Sequence, residues 1–304
     1  MVSDLVKFKF GENQGVVVEI DIECITCFVK QAEKLIHKFV RNKDERIRIM
    51  KKILKNSKKF KAHLVPIELS PSIYHELSKL LKVEDLYEEE KNLTNQKALE
   101  IKLFIENLLK ESGDPFHTGV KLSIIGNIVD YTLEGISEMN LENFIREFEK
   151  KQLFYDDVEI FRQEIEKAET LLYLTDNSGE IVFDLVFLEY LQKLYPNLEI
   201  TIGAKEKPIL NDVTLDDLKK LDINQSFTLV STGSDLPGNQ EKSFKKEFLP
   251  VYKNADIVIS KGQGNFEGLF ESSRPIYFAL MAKCPYLASF LKAPEKSMIF
   301  KKNQ

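Results

Sequence analysis

Long apolar runs are missing from this 304-residue chain. No stretch approaches the roughly 20 residues that cross a bilayer, and residues 1–10 alternate charged and apolar side chains, without the apolar centre of a signal peptide. Cysteine is scarce. Cys24, Cys27 and Cys284 cannot build a disulfide framework in a chain of this size. These absences make a cytoplasmic protein with no membrane partner the expectation. Charge of one sign is missing too: 43 basic against 48 acidic residues, a net charge of −5, give no electrostatic reason for a nucleic-acid partner. The one basic stretch, Lys51, Lys52, Lys55, Lys58, Lys59 and Lys61, reads as a solvated helix face. His37, His63, His75 and His117 show no ligand spacing and are expected at the surface or in packing. No repeat or low-complexity tract is present.

What is there is a globular composition, 43% hydrophobic and 30% charged. The length suits about two domains, and the character of the chain changes near residue 170. After a short opening strand over residues 15–20, residues 22–168 read almost wholly as helix. Ile25, Phe28, Val29, Ala32, Leu35, Ile36 and Phe39 recur at spacings of three and four, one apolar helical face. Ser70-Pro71 predicts a helix start with Ser70 as N-cap, and Ser112-Gly113-Asp114-Pro115 ends one helix and begins the next. Residues 118–131 are apolar but carry Gly119, Gly126 and Asn127. Each helical glycine costs about 1 kcal/mol relative to alanine, which suggests close packing or a bound group.

From residue 170 the pattern becomes strand, loop, helix, repeated. Strands are predicted over residues 171–175, 198–204, 227–231 and 257–260, with a last short one near 286–289, and an amphipathic helix over 181–194. Such alternation predicts an α/β fold, a Rossmann-like, mostly parallel sheet with helices on both faces. The expected division is a mainly helical domain over residues 1–168 and an α/β domain over 169–304.

In such sheets ligands bind beyond the carboxyl ends of the strands. The residues there are Asp176-Asn177-Ser178-Gly179-Glu180, then residues 205–214, Ser231-Thr232-Gly233-Ser234-Asp235, and Lys261-Gly262-Gln263-Gly264-Asn265-Phe266-Glu267. Carboxylate and amide oxygens of Asp176, Asn177 and Asp212 are hard ligands suited to Mg²⁺, Mn²⁺ or similar ions. Glycines and a helix beginning near Gly179 offer backbone N–H groups to phosphate oxygens, and Lys261 offers a mobile positive charge. A metal beside a lysine is what phosphoryl transfer requires. Each piece also has a plain structural reading. Asp-Asn-Ser-Gly is ordinary turn chemistry, Asn211-Asp212-Val213-Thr214 suits a helix cap, and the glycines after Lys261 suit a flexible turn.

The chain resembles the DUF89 family, the damage-control phosphatases that include the acidic-residue methyltransferase 1-like proteins, and most closely their stand-alone archaeal and bacterial type. The pieces are Glu23-Cys24-Ile25-Thr26-Cys27 with Gln31-Ala32, Gly113-Asp114-Pro115-Phe116, Gly126-Asn127, Asp176-Asn177-Ser178-Gly179-Glu180, and Lys207-Pro208 with Asn211-Asp212-Val213-Thr214. Ser231-Thr232-Gly233, Lys261-Gly262-Gln263-Gly264-Asn265-Phe266-Glu267 and Lys283-Cys284-Pro285 complete the series. The resemblance implies a helical N-terminal region on a Rossmann-like core. It further implies a divalent metal (Mn, Ni, Co or Mg) on Asp176, Asn177 and Asp212, a phosphate-contacting Lys261, and hydrolysis of small phosphorylated metabolites, including sugar phosphates. Asn127 and Glu267 are expected to line the pocket, with Ser178 and Gly179 contacting phosphate. Two other functions are weighed. An S-adenosylmethionine-dependent carboxyl methyltransferase would need a G-x-G glycine density that the loop after the first strand lacks. A non-catalytic phosphometabolite sensor would keep the pocket without chemistry. For Cys24 and Cys27, packing on a helix is the expectation, because a zinc site needs about two further ligands. Asp114 is expected to start a helix.

Overall fold

Seven strands and thirteen helices form in a computed structural model that describes residues 18–303 apart from 57–59, 133–140, 222 and 224, with the side chains of 128–132 also excepted. The helical part comprises α1 (Ile22–Phe39), α2 (Lys43–Asn56), α3 (Ser70–Leu81), α4 (Glu88–Glu100), α5 (Lys102–Glu111), α6 (Pro115–Thr132) and α7 (Leu141–Glu149). There follow β1 (Tyr155–Asp156), α8 (Val158–Ile165), β2 (Thr170–Leu174), α9 (Glu180–Leu194), β3 (Glu199–Ala204), α10 (Leu215–Lys219) and β4 (Thr228–Ser231). The chain ends with α11 (Leu249–Asn254), β5 (Ile257–Lys261), α12 (Gly262–Leu269), β6 (Tyr277–Met281), α13 (Pro285–Phe290) and β7 (Met298–Lys302).

The strands form one sheet in the order β1-β7-β6-β5-β2-β3-β4. Every neighbouring pair is parallel except β6 with β7. Successive strand residues serve opposite layers, as the two-residue pleat dictates. Leu171, Tyr173, Ile200, Ile202, Ile257 and Ile259 join a core with α5, α6 and α9. Leu172, Leu174, Val258, Phe278 and Leu280 join a second core with α11 to α13. A third cluster, Ala32, Leu35, Ile36, Ile49, Ile53, Ile73, Tyr74 and Leu77, holds α1, α2 and α3 together.

Several expectations change here. The segment expected as a last strand near 286–289 is α13: Cys284 caps it, its Sγ accepting from Leu287 N at 3.3 Å, and Pro285 occupies the first turn, where its fixed φ suits a helix. Of the opening strand expected at 15–20, residues 15–17 lie outside the described residues, as do residues 1–10, Lys58 and Lys59. Residues 18–20 form no strand, and Ile20 N donates to Leu64 O at 2.8 Å. Ser70 is the first residue of α3 rather than its cap. α9 is buried nearly all round over Glu180 to Leu188 rather than amphipathic, because α4, α5 and α6 cover the side turned from the sheet. Gly119 and Gly126 permit that approach: a Cβ would stand 2.4 Å from Phe187 Cδ2 at the first and 3.0 Å from Phe183 at the second. β1 precedes the expected boundary at 168/169 yet pairs with β7, and α6 packs on α9, so the core crosses that boundary. Among the described residues no helix is long and apolar enough to cross a membrane.

Candidate active site

The chain runs from β2 outward to β3 and β4, then returns to β5 on the other side of β2. A crevice opens at such a reversal, between the carboxyl ends of β2 and β5. Asp176 follows β2, and Gly262 follows β5. Gly262 has φ +82°, and a Cβ there would lie 2.0 Å from Asp176 Oδ2. Only glycine gives the carboxylate room and adopts that left-handed backbone without strain.

Asp212 is brought in by backbone hydrogen bonds, not by chance proximity of a long loop. Asn177 and Asp212 form an antiparallel bridge; Ser178 N donates to Asn211 O at 3.0 Å and Val213 N to Asp176 O at 2.8 Å. The helix-cap reading is satisfied one step further on. Thr214 caps α10, its Oγ1 accepting from Asp217 N at 3.1 Å, so capping and site duties fall on different residues of the same motif. α4 clamps both loops: Asn95 Oδ1 accepts from Gly179 N at 2.6 Å, and buried Lys91 pairs with Asp217 at 2.5 Å and Asp85 at 2.8 Å.

A cavity of about 270 Å³ opens over these residues. Asn127, Asp176, Asn177 and Asp212 line it, as do Glu23, Cys24 and Cys27 of α1, Gln263 and Glu267 of α12, and Lys283, Cys284 and Tyr286. Asp176 Oδ2 accepts from Asn127 Nδ2 and Asn177 Nδ2, both at 2.9 Å. Asp212 Oδ2 accepts from Gly238 N at 3.0 Å and lies 3.7 Å from Lys205 Nζ. In both carboxylates Oδ1 meets no protein donor among the described residues. Burial, then the charges of Glu180 and Asp212, hold Asp176 well above the usual carboxylate range, against the pull of Lys283 and Lys261. Burial pushes Asp212 up to about 6, opposed by Lys205, and brings Lys205 down to about 8 despite Asp212 and Asp176.

Two buried carboxylates, each with one oxygen unclaimed among the described residues, and the Asn177 amide beside Asp176 make a hard-oxygen donor set of the kind that suits a divalent cation. A cation there would offset the burial penalty of both. Among the described residues no three His, Cys, Asp or Glu side chains converge as a metal site, so water and substrate would complete the shell, as Mg²⁺ in particular prefers.

Other expected contacts fall elsewhere. Lys261 is fully buried and does not line the cavity. Its Nζ donates to Ser123 O at 2.8 Å, Glu180 Oε1 at 2.5 Å and Asp184 Oδ1 at 2.7 Å, which uses all three hydrogens. The structure gives Lys261 a different place from the expected direct phosphate contact: the ammonium anchors two carboxylates away from the cavity, and Asn127 Nδ2 links one of them, Glu180, to Asp176. Ser178 and Gly179 do not line the cavity either, and the Gly179 amide is already given to Asn95. Asn127 and Glu267 do line it. Cys24 and Cys27 are free thiols facing the cavity with Cys284, rather than core packing. Asp114 accepts from His117 N at 3.1 Å at the start of α6 and pairs with Arg162 at 2.7 Å.

Lys283, quoted among the family pieces but given no role by sequence reasoning, is the one basic side chain lining the cavity among the described residues. It lies just beyond β6, a strand parallel to β5. Recognising the apolar run Tyr277–Met281 as a strand would have brought Lys283 under the strand-end rule.

The pattern of the damage-control phosphatase ARMT1-like domain matches residues 20–299. The damage-control phosphatase PH1575 of Pyrococcus horikoshii is 34% identical over 291 residues, 94% of this chain and 99% of that protein. A damage-control phosphatase of Archaeoglobus fulgidus is 28% identical over 249 residues, 81% of this chain and 83% of that protein. The crystal structure of a DUF89 family protein from Pyrococcus horikoshii superposes with a TM-score of 0.87 at 33% identity, covering 94% of this chain and 99% of that one.

Proposed function

We propose, from the premise that this chain belongs to the damage-control phosphatase ARMT1-like domain family, that it hydrolyses small phosphorylated metabolites, sugar phosphates among them, with a divalent cation held by Asp176, Asn177 and Asp212. Relatives that bear the name damage-control phosphatase support the phosphatase chemistry. The observation that carries the metal reading is the pair of buried carboxylates on one cavity, each with its Oδ1 free of protein donors among the described residues. When bound, such a cation supplies charge neutralisation and Lewis acidity to a phosphoryl group.

The chain's own residues do the rest. Asn127 and Asn177 fix the Asp176 carboxyl through Oδ2 and so aim Oδ1. Lys283 offers the ammonium that meets non-bridging phosphoryl oxygens, the part of the substrate on which charge must be stabilised. Lys261 maintains Glu180 and, through Asn127, the aim of Asp176, which makes it a positioning residue. Attack falls to water, since a carboxylate engaged by two amides and a cation is a weak nucleophile.

The test is phosphate release from a panel of phosphometabolites with Mg²⁺, Mn²⁺, Co²⁺ or Ni²⁺, beside Asp176→Ala. Release with at least one ion, abolished by chelator and by the substitution, is expected. Full turnover by Asp176→Ala would refute the assignment.

A further inference from the structure

Away from the paired aspartates, the cavity lining is acidic and lacks a base among the described residues. Glu23, in the first turn of α1, and Glu267, on α12, both line it, whereas Lys283, the only basic lining side chain among the described residues, bears on Asp176. Glu267 lies five residues beyond Gly262, about 7.5 Å of helical rise from the point where α12 meets the Asp176 carboxyl. The residue is buried, with an exposure of 9%, yet among the described residues its carboxylate keeps a single hydrogen bond, from Gln263 Nε2 to Oε1 at 2.8 Å. The same amide donates to Cys284 Sγ at 3.2 Å, which fixes its orientation. Oε2 has no partner among the described residues. Burial pushes the carboxyl up to about 7, opposed only by the Gln263 hydrogen bond. The titratable groups that face it are Cys24 and Cys27 from α1 and Tyr286 from α13, each held up in part by its charge. All are acids. A buried carboxylate oxygen in a cavity wall, without a cation, stands ready for a hydrogen donor and repels an anion.

We propose that Glu267 determines specificity by accepting a hydrogen from the non-phosphorylated end of the substrate, so that the cavity takes monophosphates of neutral or amine-bearing polyols and rejects those with a second anionic group. This rests on the phosphatase reading and names the substrate class within it. A site built to receive a hydrogen donor discriminates strongly against a ligand that leaves it unpaired, and like charges oppose each other most where water is excluded.

The test compares kcat/KM for a sugar monophosphate, an amino-sugar phosphate and a phosphorylated sugar acid of equal carbon number, using wild type and Glu267→Gln. Because each carries one phosphoryl group, its titration cancels in the ratio. Wild type is expected to favour the sugar and amino-sugar phosphates over the acid by about tenfold or more, mostly through KM, and Glu267→Gln to lose most of that preference. In wild type the preference for the sugar phosphate over the sugar acid should also shrink as pH falls from 8 to 6 and Glu267 takes up a proton, a readout independent of whether the variant folds. Equal use of the sugar acid by wild type, or a ratio unmoved by both the substitution and pH, overturns the proposal while phosphate release continues. No release from any ester with any ion overturns the phosphatase reading and this proposal with it.

Discussion

Replacing Lys261 with methionine removes one charge from a place that water does not reach. Lys261 is 0% exposed, and its partners Glu180 and Asp184 are each at 1%. The substitution keeps the volume of the stem but leaves two carboxylates without their shared cation, and Asp184 Oδ2 already has no hydrogen-bond partner among the described residues. Removing one partner of a buried ion pair costs about 3–5 kcal/mol. Uptake of a proton by Asp184, which burial pushes up to about 7 even beside Lys261, places the loss toward the lower end. At roughly 2–4 °C per kcal/mol for a chain of this size, Tm should fall by about 6–12 °C. The chain has no tryptophan, so melting is best followed by far-ultraviolet circular dichroism. Metal affinity should fall too, because Asn127 spans Glu180 and Asp176. Adding Asp184→Asn should return part of the stability. An unchanged Tm with a raised KM for every phosphate ester would show that the amine meets substrate after all, and would refute the buried-anchor account.

Gly262→Ala brings a methyl within 2.0 Å of Asp176 Oδ2 at a φ of +82°; the fold should persist by circular dichroism while kcat/KM drops about a hundredfold or more. Gly119→Ala should do the reverse, lowering the urea midpoint through overpacking of about 1–3 kcal/mol against Phe187, with metal affinity unchanged in calorimetry. In metal-free protein, Asp212 and Asp184 have carboxyls raised to about 6 and about 7, so the stability they contribute is complete below about pH 4 and is lost as pH rises through 6 and 7. Urea midpoints in chelator should therefore be higher at pH 5 than at pH 8, and saturating divalent cation should remove the Asp212 part of that decline. Lys283→Met should raise KM for all phosphate esters by about tenfold or more without a comparable loss of Tm, since it takes away the cavity's ammonium.

How much of this was legible in the sequence depended on what kind of signal each feature left. The strands after residue 170 announce themselves as apolar runs that end in Asp, Asn, Lys and Gly, so the edge of the sheet over which the cavity opens could be located, and Asp176, Asn177 and Asp212 in its lining with it. β6 is just as apolar, but Tyr277–Met281 is followed by Ala-Lys-Cys-Pro rather than a glycine-rich turn, and it went unrecognised together with the place of Lys283 in the cavity. α13 was misread because four residues of mixed apolar character do not separate helix from strand; the Cys284-Pro285 start decides it. Lys261 shows the limit of reasoning by residue type. Its position at a strand end fits a phosphate contact, and only three-dimensional packing reveals that Ser123, Glu180 and Asp184 consume its hydrogens. The clamp from α4 through Asn95 and Lys91 left no sequence signal, because contacts between residues more than 80 positions apart follow no local period.

The most direct test of the central claim is a calorimetric titration of Mn²⁺ into metal-free protein, run beside Asp176→Asn and Asp212→Asn. One strong site per chain, absent in both variants while each remains folded, is the predicted result. Undiminished binding in either variant would contradict a cation shared between these two carboxylates.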